Sequence, residues 1–488
     1  MADEFEAATD EFVRWLESSE AELSPKIKLV DHRSKGENRC VVASEDIAEG
    51  EVLFSLPRTF LLNVKTSALV KDYPAVEETL LNGFGHWEGL VTCLYYEYHV
   101  LKEKSRWWPY LKVLPSASQL DNLMYWTDEQ LSHLQPSLIV SRIGKDNARQ
   151  MFERVKKYVT EGNIKEIQQM TWEEFVHIAS VIMAYSFDCE LPEEDNAEED
   201  EEEEDEDEAR YIKCMVALAD MLNSDTHLVN ANLTYDDDML RMVAIKDIPK
   251  GEQVYNIYGP FSNAEILRRY GYVEMSGSKY DYGEIKLEGI VAAISNRTGA
   301  EVAVLEKVLE ILSSDEEWVS ELFEDEDVIL PIYDCYVDGH VLPQCTFVLQ
   351  LLVTLSQVLK KTTTQDELVV QVRKTAKKVL QLLEGGRVTQ QAVEIWKIII
   401  ENRLKDYPAR PPKVDTNVIT DGNAGVDQRR KEMANCILNS EIESLEACKN
   451  SLENSYTVIE DEKLLRNVMK RKLDGPDAIS AKTQKKRK

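Results

Sequence analysis

No apolar run in the chain approaches the roughly 18 residues that a bilayer-spanning helix needs. The opening stretch, MADEFEAATDEFVRWLESSE, has neither a positive leading region nor an uninterrupted apolar core, so a soluble, non-secreted protein without a membrane partner is expected. None of the eight cysteines forms a C-x-x-C pair or stands at ligand spacing from the seven histidines. Reduced thiols in an intracellular protein are therefore expected, with no structural zinc and no metal in the site. A fixed-period repeat is absent too, which argues against a solenoid. Positive charge is in deficit, 57 Lys and Arg against 89 Asp and Glu, for a net charge of -32. Fourteen of those acids crowd the sixteen residues from Glu193 to Glu208. A field of this sign disfavours phosphate backbones and steers cationic partners inward, so the expected partner is a basic protein and not nucleic acid.

What is present is enough for two or three domains: 488 residues, 43% of them apolar and 8% aromatic. Residues 1–24 hold a helix candidate, Phe5–Glu20, with Phe5, Ala8, Phe12, Trp15 and Leu16 at helical spacing. Short β-rich runs follow at Val30, Cys40–Val42 and Val52–Leu56, divided by polar turns. From about 67 to 186 the pattern becomes helical, with candidates Trp87–Lys104, Glu129–Leu134, Asn147–Glu161 and Trp172–Tyr185. An acidic loop at 192–208 comes next, and strand character returns at Leu240–Ile245 and Gln253–Ile257. This order predicts an α+β fold in which one β domain, 25–275, is split by a helical insertion. Residues 290–455 carry i, i+3, i+4 apolar spacing and predict a second, all-α domain. The tail 461–488 places Lys470-Arg471-Lys472 twelve residues before Lys485-Lys486-Arg487-Lys488, the spacing of a bipartite nuclear-import signal.

Gly83-Phe84-Gly85-His86-Trp87-Glu88-Gly89 misses the dinucleotide fingerprint by one residue and follows a helical pattern, so a turn between helices is the better reading. The acidic run 193–208 reads first as a solvated loop, placed in the chain so that it could raise encounter rates with a basic partner. Five tyrosines, Tyr235, Tyr255, Tyr258, Tyr270 and Tyr272, lie within 38 residues. Taken alone they read as strand and core aromatics. Their company is more telling: Ala219-Asp220-Met221-Leu222-Asn223 upstream, then Gly251–Gly271, GEQVYNIYGPFSNAEILRRYG, continuing into Tyr272.

Together with Glu45–Leu53 and Ser105–Leu111, these segments resemble the SET domain of the RuBisCO large-subunit methyltransferase type, over roughly Pro25 to Leu452. The resemblance implies an α+β SET domain of short β-sheets with a helical insertion, followed by an all-α substrate-binding domain. It also implies an S-adenosylmethionine-dependent protein-lysine N-methyltransferase. Methyl transfer from a sulfonium needs in-line geometry and a neutral amine more than covalent help, which uncharged phenol oxygens and carbonyls in a narrow channel can provide. By the same resemblance Tyr258 is the catalytic residue. Glu37, Asn38, Arg39, Tyr185, Asn223, Ser224 and Tyr270 fall at cofactor positions, and Trp107, Ser186 and Tyr235 at substrate positions. The chain departs from the family where Asn38 and Cys40 replace glycines and Ser224 replaces a histidine. Asp236–Leu240 and Glu265–Glu274 are similar to the fungal ribosomal lysine N-methyltransferases, which implies a large-subunit (60S) ribosomal protein as substrate, a nuclear location and an import receptor as partner. A histone or other nuclear-protein methyltransferase, and a non-catalytic SET-fold adaptor, are the alternatives.

Overall fold

The computed structural model describes residues 4–33, 37–191, 211–236, 238–314, 327–359, 364–407, 410–412, 414–420 and 424–469. The acidic run 193–208 and both basic clusters of the tail lie outside the described residues. Among those described, no helix is long and apolar enough to cross a membrane. The chain forms two compact units, one comprising 1–281 with 411–438, the other 282–410 with 439–488. Neither matches the expected 25–275 and 290–455: the N-terminal helix belongs to the first unit, and 411–438 returns to it.

The first unit is built on small sheets because its strands are short and turn-bounded. We number them β1 Glu22–Leu23, β2 Ile27–Asp31, β3 Arg39–Ala43, β4 Val52–Pro57, β5 Ser186–Glu190, β6 Tyr211–Met215, β7 Asn223–Ser224, β8 Ala231–Tyr235, β9 Met239–Ala244 and β10 Tyr255–Asn256. One antiparallel sheet runs β1-β4-β9-β8, while β2 pairs with β3 and β5 with β6. In β9, Leu240, Met242 and Ala244 alternate inward with period two, and Phe54↔Met242 and Leu233↔Met242 fix the register. The pair β7-β10 is parallel, aligning Asn223 with Tyr255 and Ser224 with Asn256, although about thirty residues separate the two strands in sequence.

Between β4 and β5 lies the helical insertion. Trp172–Tyr185 forms the helix its periodicity predicts, opened by a capping box in which Thr171 and Glu174 satisfy each other's backbone N–H groups. The predicted Trp87–Lys104 helix is not uniform: an α-helix, His86–Tyr95, widens into π turns at Tyr96–Leu101. That widening accompanies Glu97, a fully buried carboxylate that accepts from the Ser67 and Ser105 hydroxyls (3.0 and 2.7 Å) and the Ala68 N–H (2.6 Å). A buried carboxyl group is tolerable with donors of this number. Gly85 opens the helix at His86 and not a phosphate loop, and a Cβ at Gly89 would stand 2.5 Å from the Leu80 carbonyl oxygen. The returning segment is anchored by Arg429 and Arg430, which both grip Asp121 at 2.7 Å.

The second unit is mostly helical. Its Pro343–Val358 helix is apolar all round and is buried continuously from Cys345 to Leu355, as a central helix must be. The largest of its three buried polar residues, Gln350, is bonded on both sides: its amide donates to Thr354 and Thr389 (3.1 and 3.0 Å), and its oxygen accepts the Thr389 N–H at 2.9 Å. Two short β pairs interrupt the expected all-α pattern, Tyr282–Lys286 with Ile332–Tyr336 and Arg387–Thr389 with Thr457–Ile459. Residues Asp461–Met469, assigned from sequence to the basic tail, form a helix instead. Its Leu464 and Val468 are buried, and Asp461 accepts from the Gln391 N–H at 3.0 Å.

Candidate active site

The parallel β7-β10 pair brings two sequence-distant stretches together. Leaving β10, the chain delivers Tyr258, whose hydroxyl donates to the Leu222 carbonyl oxygen at 2.9 Å and whose N–H donates to Ser224 Oγ at 3.2 Å. Burial, together with the neighbouring Tyr272, Tyr185 and Tyr270, pushes the Tyr258 phenol well above its ordinary pKa. It therefore stays protonated at any physiological pH and acts as a donor, not as a phenolate base.

Tyr270 stacks obliquely on Tyr258, ring centroids 4.7 Å apart, and Tyr272 lies 6.4 Å beyond Tyr270 and donates to the Ser224 carbonyl at 3.2 Å. Both rings flank the end of the Asn263–Tyr270 helix. Ser262 caps its first turn, and Gly271 ends it in the left-handed region. Asn263 ties the helix to the loop that follows it: its amide donates to the Glu274 carbonyl (2.8 Å) and its oxygen accepts the Glu274 N–H (2.7 Å). Glu274 in turn accepts from the N–H and hydroxyl of Thr226. The turn after β7 is thus held against the tyrosine-bearing segment by backbone-directed bonds that any shift would break.

Asn223 donates to Glu37 at 3.3 Å across 186 positions of sequence. Glu37 also meets His32, whose Nδ1 stands 3.1 Å from both Glu37 Oε2 and Cys40 Sγ. The donor atoms of His32, Glu37 and Cys40 all lie within 4.8 Å of one another, a grouping that sequence spacing did not indicate. Asn38 is exposed, and the Cys40 side chain is buried toward His32. The Arg39 guanidinium turns away to the N-terminal helix, bonding Thr9 Oγ1 (2.8 Å) and the Phe5 and Val113 carbonyls and lying over the Phe5 ring. It leaves its backbone alone at the loop.

Of the substrate candidates, Ser186 opens β5 half-buried. Tyr235 donates to the Asp188 carbonyl at 3.4 Å; Asp188 also acts electrostatically on Tyr270. Trp107 is a correction. It is 2% exposed, donates to the Phe60 carbonyl at 3.2 Å and sits under Arg106, so it is a core side chain with no face left for substrate. Tyr185 is among the residues acting on Tyr258, and burial lifts its own phenol to about 12.

Sequence reasoning took in Asp220 and Tyr110 only as parts of longer motifs and gave neither a role. Asp220 is 5% exposed and accepts a hydrogen bond from the fully buried Tyr110 hydroxyl. The signal was available, since Asp220 is the one charged residue between Met215 and Leu222, and a lone acid in an apolar run is usually buried for a reason. Just before it, Leu218 holds φ at +78°, an uncommon backbone state for a branched side chain and of the kind that gathers at working sites.

A SET domain model matches residues 38–259. The chain is 43% identical over 489 residues to ribosomal lysine N-methyltransferase 4 of Saccharomyces cerevisiae, covering 98% of this chain and 99% of that protein. This chain belongs to the SET-domain lysine methyltransferases. Zebrafish N-lysine methyltransferase setd6 is 34% identical, over 54% of this chain and 56% of its own. Among solved structures, the SET domain of LSMT bound to lysine and AdoHcy superposes with a TM-score of 0.58 at 17% identity over 99% of both chains. Rubisco LSMT bound to AdoMet does so at 0.57 and 17%, over 98% of this chain and 99% of that one. At such identity the likeness is one of fold. As a SET-domain lysine methyltransferase the protein uses S-adenosylmethionine, and the residues present suit a cationic donor: buried Asp220 Oδ1 has no hydrogen-bond partner, and uncharged phenols surround it. Ser224 supports the Tyr258 backbone through its hydroxyl, which accepts the Tyr258 N–H. Ser224→Ala is expected to remove about 1 kcal/mol of that support, lowering kcat roughly fivefold with the thermal midpoint almost unchanged; steady-state kinetics beside a melting curve would show it.

Proposed function

We propose that the protein methylates a lysine on a large-subunit ribosomal protein in the nucleus. The observation that carries this reading is the 43% identity to a ribosomal lysine N-methyltransferase over nearly the full length of both chains. Charge supports it: a net charge of -32 suits a strongly basic client, and the spacing of Lys470-Arg471-Lys472 and Lys485–Lys488 suits an import receptor.

In this reading the loop 37–40, Asn223 and Ser224 hold S-adenosylmethionine, with Tyr185 and Tyr270 beside it. The cofactor supplies an activated methyl group. The Leu222 carbonyl and the Tyr258 hydroxyl lie at hydrogen-bonding distance where the two ends of the site meet, so together they can orient an incoming amine. Ser186 and Tyr235 line the approach. Because Tyr258 and Tyr270 remain neutral, they add no phenolate that would hold the amine as an ammonium, and desolvation favours the uncharged amine that the displacement requires.

Purified large-subunit ribosomal proteins and core histones, each incubated with the enzyme and labelled S-adenosylmethionine, are the test. Label is expected on a single ribosomal protein and absent from the histones. Label on histones alone would keep the lysine methyltransferase and overturn the ribosomal assignment.

A further inference from the structure

A buried carboxyl that bonds Tyr110 and acts electrostatically on Tyr185 and Tyr258, a group of buried phenols that we call the tyrosine cage, is an unusual component for a site that handles cations. Asp220 Oδ2 is bonded to Tyr110, whereas Oδ1 is buried and makes no hydrogen bond of ordinary geometry, the Asp220 and Leu218 N–H groups acting on the carboxyl without closing one, and Asp220 joins no ion pair among the described residues. An orphaned carboxyl oxygen costs desolvation free energy unless something else arrives to meet it. The turn that carries it, Ala219–Met221, follows the strained Leu218 and leads directly to the Leu222 carbonyl that holds Tyr258. The titratable groups facing Asp220 come from three elements: Tyr110 on the Trp108–Leu111 helix, Tyr185 at the end of the insertion's last helix, and Tyr258 after β10. None of them is a cation.

We propose that Asp220 is a buried counter-charge for the donor's sulfonium: protonated when the cage is empty, ionised when the sulfonium occupies it, its proton passing to solvent. This rests on the assignment of the tyrosine cage as the transfer site and adds to it a charge-sensing residue. Burial raises the carboxyl to about 8, with the Tyr110 hydroxyl and the Asp220 and Leu218 N–H groups pulling the other way. The sign follows. Below that value a proton must be expelled before the cation can be met, so sulfonium affinity rises with pH and levels off above about 8. The same group affects stability in the opposite sense. A raised folded-state pKa means stabilisation that is complete below the ordinary carboxyl range and is lost as pH climbs through about 8.

Calorimetric binding to the full chain at pH 7, in phosphate and in Tris, measures the proton directly through the buffer's ionisation heat. With S-adenosylmethionine we expect release of about nine-tenths of a proton per molecule bound, the protonated fraction of a group titrating near 8. The uncharged thioether S-adenosylhomocysteine should release almost none. In Asp220→Asn, which keeps an acceptor for Tyr110, the difference should vanish and the preference for sulfonium over thioether should fall about tenfold. The same variant should melt higher than wild type, and by clearly more at pH 8.5 than at pH 5.5, a result that also shows it is folded. Equal release with both ligands, or release that survives in Asp220→Asn, would overturn the proposal while leaving the transfer site in place. Release with millimolar lysine methyl ester but not with the sulfonium would do the same. No binding of either adenosyl ligand would remove the site assignment and this inference with it.

Discussion

Tyr258→Phe should lower kcat/KM by about 100-fold to 1,000-fold while the protein melts within a few degrees of wild type. The phenylalanine ring keeps the 4.7 Å packing against Tyr270, so the cage wall survives. What disappears is one hydroxyl and its 2.9 Å bond to the Leu222 carbonyl. In the folded ground state such a bond contributes about 1 kcal/mol. Aimed at reacting atoms in a site that excludes water, a single fixed donor contributes roughly 3–4 kcal/mol to the transition state. Stability and turnover should therefore separate. Steady-state methyl transfer alongside a thermal scan reads both, and a variant with wild-type turnover would remove Tyr258 from the mechanism. Buried as it is, Tyr258 stays a phenol, so its loss should reduce the plateau of the pH–rate profile without moving the profile's limbs.

The second large effect is structural. Gly271→Ala should destabilise the protein by about 3 kcal/mol or more. Gly271 ends the Asn263–Tyr270 helix at φ +78°, and its N–H donates to the Leu267 carbonyl at 3.1 Å. An added Cβ would lie 2.6 Å from both the Asp121 carbonyl carbon and the Asn122 nitrogen. Those are backbone atoms, which cannot swing aside like a side-chain tip, and Asp121 is held in place by Arg429 and Arg430. Relief must come from moving the helix end, which carries Tyr270 on one side of the glycine and Tyr272 on the other. Activity should fall with stability here, unlike in Tyr258→Phe. A melting midpoint unchanged by the substitution would show that the close approach is not what it looks to be.

Some of this was legible in the residues. Trp172–Tyr185 announced itself as helix by apolar spacing and Leu240–Ile245 as strand by its β-rich run, because local periodicity is written in adjacent positions. The Ser262-Asn263-Ala264-Glu265 run was recognisable as a motif, but not why: Asn263 serves Glu274 and Glu274 serves Thr226, bonds whose partners lie 11 and 48 positions apart. Trp107 shows the opposite failure. A tryptophan beside proline and tyrosine reads equally well as a binding surface or as core, and burial alone decides between them. The second unit's small β pairs were hidden because strands of three to five residues carry too little period to stand out among helices.

The amino-acid sequence by itself determined the reaction class, since the joint pattern of Ala219–Asn223 and Tyr258–Tyr272 resembles that of lysine methyltransferases and the whole chain is 43% identical to one. It also determined the charge that favours a basic client and the helices and strands whose cues are local. The tertiary structure alone decided which of those residues meet. Parallel pairing of β7 with β10 places Tyr258 on the Leu222 carbonyl, the Asn263–Glu274–Thr226 bonds hold Tyr270 and Tyr272 beside it, and burial leaves Asp220 Oδ1 without a partner. The physical reason is range. Propensity, capping and periodicity act over a few residues, whereas desolvation and hydrogen-bond satisfaction depend on what the chain brings back from tens or hundreds of positions away.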